Sequence, residues 1–344
     1  MKNVNNGLKV SNDVNSNTMT QNIRTVENEN IGLFTIKSAT QWIEEAKNKP
    51  IPKMLFGEFW FEGELSILFA DTNLGKSILA VQIGNSISKN EKINPFKLEA
   101  SKQRILYFDF ELSVKQFENR YSNDYTEHYQ FDDNFIRIEI NADAEIPNNK
   151  DFEEFLCDSL ERSIIETDSK IIIIDNITFL RNGNESAKDA LPLMKHLKML
   201  KSKHGLSILV LGHTPKRDLS KPLSINDLAG SKMLANFCDS AFAIGQSSSD
   251  SNLRYFKQLK QRNTEQIYDS ENVCVCQISK PNNFLQFEFI NLDEERNHLK
   301  EFKKTDKDEL IEQVKELSAS GKTQRQIRDE LRISLGVVNK YLNK

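Results

Sequence analysis

A triphosphate is held by inward-pointing backbone N–H groups, one cation and one hydroxyl gathered at a single turn. The run Ala70-Asp71-Thr72-Asn73-Leu74-Gly75-Lys76-Ser77 supplies that set. It follows the phosphate-loop pattern Gly-x-x-x-x-Gly-Lys-Ser/Thr except at its first position, where Ala70 stands for glycine. Gly75 permits close backbone approach, Lys76 would reach the outer phosphates of ATP, and the Ser77 hydroxyl would ligate Mg²⁺. The flanks fit this chemistry. Leu65 to Phe69 reads as a buried strand, and Ser77 to Ser88 reads as a helix with Ile78, Leu79, Val81 and Ile83 apolar. The helix start adds a dipole that favours an anion.

Two acids extend the constellation. Ile171-Ile172-Ile173-Ile174 ends in Asp175, a continuous apolar run of the kind buried on both faces of a sheet. An acid at the carboxyl end of such a strand faces the ligand crevice and would hold Mg²⁺ directly or through water. Arg104 to Glu111 is a second strand ending in acids. Glu111 could deprotonate an attacking water, Asp109 competes for that role by period-two alternation, and Glu111 also suits a helix start as a cap. Spacing leaves the two open.

The elements that must position these residues alternate. Strands are predicted at 65–69, 104–110, 135–141, 171–175 and 207–212, with helices at 76–88, 114–121, 152–166 and 187–204. Such alternation predicts an α/β fold with a mostly parallel sheet covered on both faces. Beyond Ser240, consecutive strand-like runs at 241–244, 254–259, 273–278 and 285–290 predict antiparallel hairpins extending the sheet. A short helix is predicted over Thr40 to Asn48, and a small all-α unit at the C-terminus. The expected domains are a disordered tail over 1–30, an ATPase domain over 31–292, a linker over 293–306 and a helical unit over 307–344.

Composition narrows the setting. The 344 residues are 38% hydrophobic and 28% charged, and no apolar run approaches membrane-spanning length. The Asn-rich N-terminus has no secretion signal. The four cysteines (Cys157, Cys238, Cys274, Cys276) form no C-x-x-C pair, so neither zinc nor a disulfide framework is expected and the setting reads as cytoplasmic. Net charge is −4, yet Lys322, Arg325, Arg328, Arg332, Lys340 and Lys344 crowd the C-terminus against Asp329 and Glu330. A basic end on an acidic body points to nucleic acid.

On these motifs, residues 51 to about 290 resemble the RecA-like ATPases of the hexameric replicative-helicase group, near the RepA and DnaB proteins. Those relatives also accept Ala at the first phosphate-loop position. Their second strand ends in a Glu followed by a helix ending near an Arg, as in Glu111 and Arg120, which implies that Glu111 is the base. A His followed by Thr and Lys ends the strand after the metal-binding acid, which implies that His213, in His213-Thr214-Pro215-Lys216, senses the terminal phosphate. The segment Asp227-Leu228-Ala229-Gly230-Ser231 through Asp239 is also similar to that family. A Lys-x-Arg on a hairpin reaches a neighbouring subunit's nucleotide in these relatives, implying the same for Lys260 and Arg262. A finger supplied in trans implies a homo-oligomer, a hexamer in the helicase group.

Two regions would meet DNA. In ring ATPases of this type the equivalent loop projects into the channel and tracks the phosphate backbone, which implies that the point charges of Lys216, Arg217, Lys221 and Lys232 follow a single strand. By itself the segment also reads as a solvated surface loop. At the C-terminus, helices are expected over 308–319, after Thr323 and after Ser334. They carry Leu310, Ile311, Val314 and Leu317, then Ile327 and Leu331, then Val337, Val338, Tyr341 and Leu342. This run resembles helix-turn-helix domains of resolvase and regulator type, departing from them at Arg328, where Ala is usual, and Arg332, where Gly is. In such a domain Leu335, Gly336, Asn339 and Lys340 would face bases, and Arg325 and Arg328 phosphates. The expected function is a DNA-associated ATPase, a helicase or loader for a plasmid or mobile element. The rivals are a DNA-bound ATP-dependent switch and a protein-remodelling or kinase-like RecA module.

Overall fold

The computed structural model describes residues 29–177, 190–215, 217–229, 231–300, 304–331 and 333–342. The chain divides into two compact units, Met1–Ile51 and Pro52–Lys344. In the first, Glu29–Ile31 pairs antiparallel with Phe34–Ile36, and a helix spans Ala39–Lys47 with Ser38 as its N-cap. The hairpin was not predicted. The expected tail over 1–30 lies outside the described residues apart from the start of this hairpin.

The second unit is built on a sheet of nine strands among the described residues. In chain order these are β1 (Leu65–Ala70), β2 (Ile105–Asp109), β3 (Phe135–Ile138), β4 (Ile171–Asp175), β5 (Ser207–His213), β6 (Ser240–Gln246), β7 (Leu253–Lys260), β8 (Val273–Ser279) and β9 (Gln286–Asp293). Their spatial order is β9-β8-β7-β6-β1-β5-β4-β2-β3. Strands β6, β1, β5, β4, β2 and β3 run parallel, and β7, β8 and β9 add antiparallel. One expectation needs correction here. β6 does not begin an antiparallel extension but pairs parallel with β1, and only its turn into β7 makes a hairpin. The cause is register: Ala241 and Ala243 face one layer while Phe242 and Ile244 face the other, so β6 is buried on both faces like the parallel strands beside it.

Period-two alternation divides the sheet into two cores. Leu68, Tyr107, Ile171, Ile173, Leu209 and Leu211 face the layer of α1 (Lys76–Lys89). Ile67, Leu106, Ile172, Ile174, Ile208 and Val210 face α3 (Phe152–Thr167) and α4 (Ala190–His204); between α1 and α3 the short α2 (Val114–Arg120) follows β2. Helix α1 packs close because Gly84 faces β3, where a Cβ would lie 2.8 Å from Phe135. The predicted start of α4 at residue 187 lies outside the described residues. Cys274 and Cys276 share the α1 face, as alternation requires. Between β5 and β6 lies α5 (Ser231–Phe237).

At the C-terminus α6 (Lys304–Ala319), α7 (Gln324–Leu331) and α8 (Leu335–Leu342) enclose a core of Val314, Ile327 and Val338. Gly321 ends α6 at φ 85°, a conformation glycine takes without strain. Thr323 and Gln326 form a reciprocal cap on α7, and Ser334 Oγ accepts from the N–H of Val337 on α8. Arg332 and Lys344 lie outside the described residues.

Candidate functional site

The phosphate loop leaves β1 at Ala70 and enters α1 at Lys76, so its backbone amides lie at a helix N-terminus. Gly75 has φ 98°, and a Cβ there would lie 2.7 Å from the Phe287 ring, so glycine is required both by conformation and by crowding from β9. Asn73 also takes positive φ, at 63°. The buried Lys76 Nζ donates to the carbonyls of Ala70, at 3.1 Å, and Asp71, at 3.2 Å. Burial holds the Lys76 pKa below its ordinary value, while Asp175, Glu111 and Asp71 act in the opposite sense.

Asp175 ends β4 and is fully buried. Its Oδ2 accepts from the Tyr107 hydroxyl at 2.7 Å. Its Oδ1 has no hydrogen-bond partner of ordinary geometry among the described residues, although the Ser77 hydroxyl lies against the carboxylate. Burial pushes the Asp175 pKa up to about 6, with Ser77 and Tyr107 pulling it down and the charges of Glu111 and Asp109 adding to the rise.

The two acids of the second strand part company. β2 ends at Asp109 and the chain bends, so the alternation that set Asp109 and Glu111 on one side stops there. Asp109 is buried and committed. Its Oδ1 accepts from the N–H groups of Glu111 (3.2 Å) and Leu112 (2.9 Å), and Oδ2 accepts from Arg137 Nε at 2.9 Å. Ser113, not either acid, caps α2. The half-exposed Glu111 accepts from Asn176 Nδ2, and its Oε1 lies 3.2 Å from His213 Nε2. Asn176 Nδ2 lies 3.1 Å from the same His213 nitrogen. The His213 hydrogen bond, first, and then the charges and amide around it lower the Glu111 pKa against a smaller opposing effect of burial.

The strand order explains the meeting: β1, β5, β4 and β2 are successive neighbours, so the loops leaving their carboxyl ends share one rim. The backbone ties it together. Thr214 N–H donates to the Ala70 carbonyl at 3.1 Å, and Ala229 N–H donates to the His213 carbonyl at 3.0 Å. Sequence reasoning passed over Asn176, Tyr107 and Arg137. The signals were a polar residue directly after Asp175 and a tyrosine two positions before Asp109 on the same strand face.

Other expected residues lie elsewhere. β7 runs antiparallel to β6, so Lys260 pairs with Ala241 while Ile244 pairs with Ala70. Lys260 and Arg262 are thus carried to the opposite end of the sheet from the phosphate loop. Lys260 Nζ donates to the carbonyls of Ala235 (2.5 Å) and Cys238 (2.6 Å) at the end of α5, and Arg262 donates to Asp239 Oδ1 at 2.9 Å. Asp239 also accepts from Leu65 N–H at 3.0 Å and from Lys201 Nζ at 2.7 Å, tying the start of the phosphate-loop strand to this end. Arg120, at the end of α2, has a buried guanidinium nitrogen without a partner among the described residues.

In the loop after His213, Arg217 folds back onto the Lys221 carbonyl, while the Lys221 ammonium is exposed, 3.8 Å from Asp218. Lys216 and Gly230 lie outside the described residues, as does the side chain of Lys232. On the three-helix unit Arg325, Asn339 and Lys340 are exposed. Arg328 is partly exposed and pairs with Asp329 at 2.6 Å, while Ile327 takes the core position on α7.

Among solved structures the chain is similar to the KaiC-like protein PH0186 from the hyperthermophilic archaeon Pyrococcus horikoshii OT3. Identity is 12% and the TM-score 0.44, covering 66% of this chain and 90% of that one. No curated protein matches. Among the described residues no helix is long and apolar enough to cross a membrane. The AAA domain family matches residues 34–218, more than half of the chain. With the phosphate loop and the buried acid that ends β4, the chain belongs to the AAA-domain family of P-loop ATPases.

Proposed function

We propose that the protein is an ATP-hydrolysing, DNA-associated ring ATPase of the RepA type, a helicase or loader for replication or mobilisation of a plasmid or mobile element. The observation that carries this reading is the junction of Glu111, Asn176 and His213, with Glu111 and Asp175 close enough for their charges to act on Lys76. Lys76, already drawn inward by two carbonyls, would bind the outer phosphates of ATP. Asp175 and Ser77 would hold Mg²⁺. A hard cation takes oxygen ligands, the Ser77 hydroxyl lies against the Asp175 carboxylate, and Asp175 Oδ1 has no hydrogen-bond partner of ordinary geometry among the described residues. The bound cation would offset charge on the phosphates. Glu111, kept ionised by its neighbours, would orient and deprotonate the attacking water. His213 and Asn176 would fix the Glu111 carboxylate and read the terminal phosphate.

Lys260 and Arg262 sit too far along the sheet to serve their own phosphate loop. That separation supports a homo-oligomer, a hexameric ring, in which they reach the next copy's site. The loop of Lys216, Arg217 and Lys221 would follow a single strand. The three-helix unit would act as a helix-turn-helix on duplex DNA, with Arg325 and Arg328 at phosphates and Asn339 and Lys340 at bases.

The test is ATP turnover with and without single-stranded DNA, followed by strand displacement on a forked duplex. Stimulation with displacement is expected. Slow, DNA-insensitive turnover with tight duplex binding would replace the motor by a DNA-bound nucleotide switch.

A further inference from the structure

We propose that Tyr107 is a positioning residue for the metal-side acid: its hydroxyl holds Asp175 by one oxygen, so that the other alone is turned toward Ser77 and a divalent cation. The inference rests on the reading of Asp175 and Ser77 as the metal-holding pair.

A carboxylate left to itself exchanges its two oxygens, because rotation about its last bond is broad and two-fold. Asp175 cannot rely on water to break that symmetry, since it is fully buried at the end of β4. Tyr107 breaks it. The side chain is itself fully buried on the neighbouring β2, level with Ile173, and its hydroxyl reaches along the sheet to Asp175 Oδ2 at 2.7 Å. A phenol has one proton, and the Asp175 oxygen it faces can only accept, so the hydroxyl is the donor. The competing acceptor is out of play. Asp109, level with Asp175 on β2, is taken up by Arg137 and by two N–H groups of its own turn. Oδ1 is therefore left with no hydrogen-bond partner of ordinary geometry among the described residues, in a carboxylate that the Ser77 hydroxyl approaches.

The experiment is titration of a fluorescent ATP analogue with Mg²⁺, alongside its affinity in chelator, for the parent, Tyr107→Phe, Asp175→Asn and the double variant. Tyr107→Phe should leave metal-free affinity within about twofold of the parent and raise half-saturating Mg²⁺ about tenfold, the scale of one charge-assisted hydrogen bond. Asp175→Asn should remove most of the Mg²⁺ response, and adding Tyr107→Phe to it should change nothing further. An unaltered Mg²⁺ requirement in Tyr107→Phe, with Asp175→Asn impaired, overturns the positioning role and leaves the site reading intact. So does a fall in Tm with no metal effect, which would mark the hydroxyl as structural only. A normal Mg²⁺ response in Asp175→Asn instead overturns the site reading and the inference with it. Should Tyr107→Phe fold poorly, a fluorinated tyrosine at 107 keeps the shape and strengthens the donor. Half-saturating Mg²⁺ must then fall at unchanged metal-free affinity, and no change overturns the proposal.

Discussion

Glu111 and His213 are 102 positions apart in the chain, yet Glu111 Oε1 and His213 Nε2 lie 3.2 Å apart across the rim of the sheet. A carboxylate that is to take a proton from water must be ionised and aimed, and this contact serves both needs. It is the largest cause of the lowered Glu111 pKa, and it fixes the carboxylate from the side of β5 while Asn176 fixes it from β4. No other acid of the second strand is free for the task, since Asp109 is consumed by its own turn and by Arg137.

Removing the proposed base should separate binding from chemistry. Glu111→Gln is expected to keep ATP affinity and lose about 10²- to 10⁴-fold in turnover. In His213→Ala the Glu111 pKa should rise from its lowered value toward or above the ordinary 4.5. A depressed carboxylate loses its base form only as pH falls through the folded value, so the acid limb of the rate profile must move to higher pH. A profile of kcat against pH checks this, and an unmoved limb would exclude the His213 contact as its cause.

Asp175 has the opposite sign. Its folded pKa of about 6 lies above the ordinary 3.8, so the ion-free protein loses stability as pH rises through that window. Asp175→Asn should therefore stabilise the ion-free protein at pH 7, by up to about 3 kcal/mol, while Mg²⁺-dependent ATP binding is lost. In the parent that binding should weaken below about pH 6, as protons compete for the carboxylate. Thermal melts and nucleotide titrations over this range measure both.

Arg262 gives a test of assembly. Arg262→Ala removes an exposed guanidinium paired with Asp239 and should abolish turnover while ATP binding survives. Mixed with Lys76→Ala, which keeps its arginine but lacks the lysine proposed to bind phosphate, the pair should show non-additive activity in trans. Turnover like the parent's in Arg262→Ala alone would remove the finger. Lys260→Ala is the less clean probe, because Lys260 also caps carbonyls at the end of α5 and its loss should lower Tm.

The three-helix unit makes a prediction of its own. Arg325→Ala and Lys340→Ala remove exposed charges without touching Val314, Ile327 or Val338. Duplex affinity should fall in each, and the slope of log affinity against log salt should shrink by about one. Turnover without DNA should stay unchanged. Fluorescence anisotropy over a salt series measures the slope, and unaltered duplex binding in both variants would count against the helix-turn-helix reading.

Most of the fold was legible along the chain. The phosphate loop between strand and helix, the four isoleucines before Asp175, the caps at Thr323 and Ser334 and the alternation in Cys274 and Cys276 are local patterns. Each depends on residues within a turn or two of one another, and local sterics, capping and periodicity determine them wherever the segment comes to lie. The parallel pairing of β6, the crowding of Gly75 by Phe287, and the joining of Glu111, Asn176 and His213 were not legible. Those depend on which strands become neighbours and in what register. Alternation tells which face a residue takes but not which strand lies beside it, so only the packed sheet decided that Asp109 would be tied down and Glu111 left at the rim.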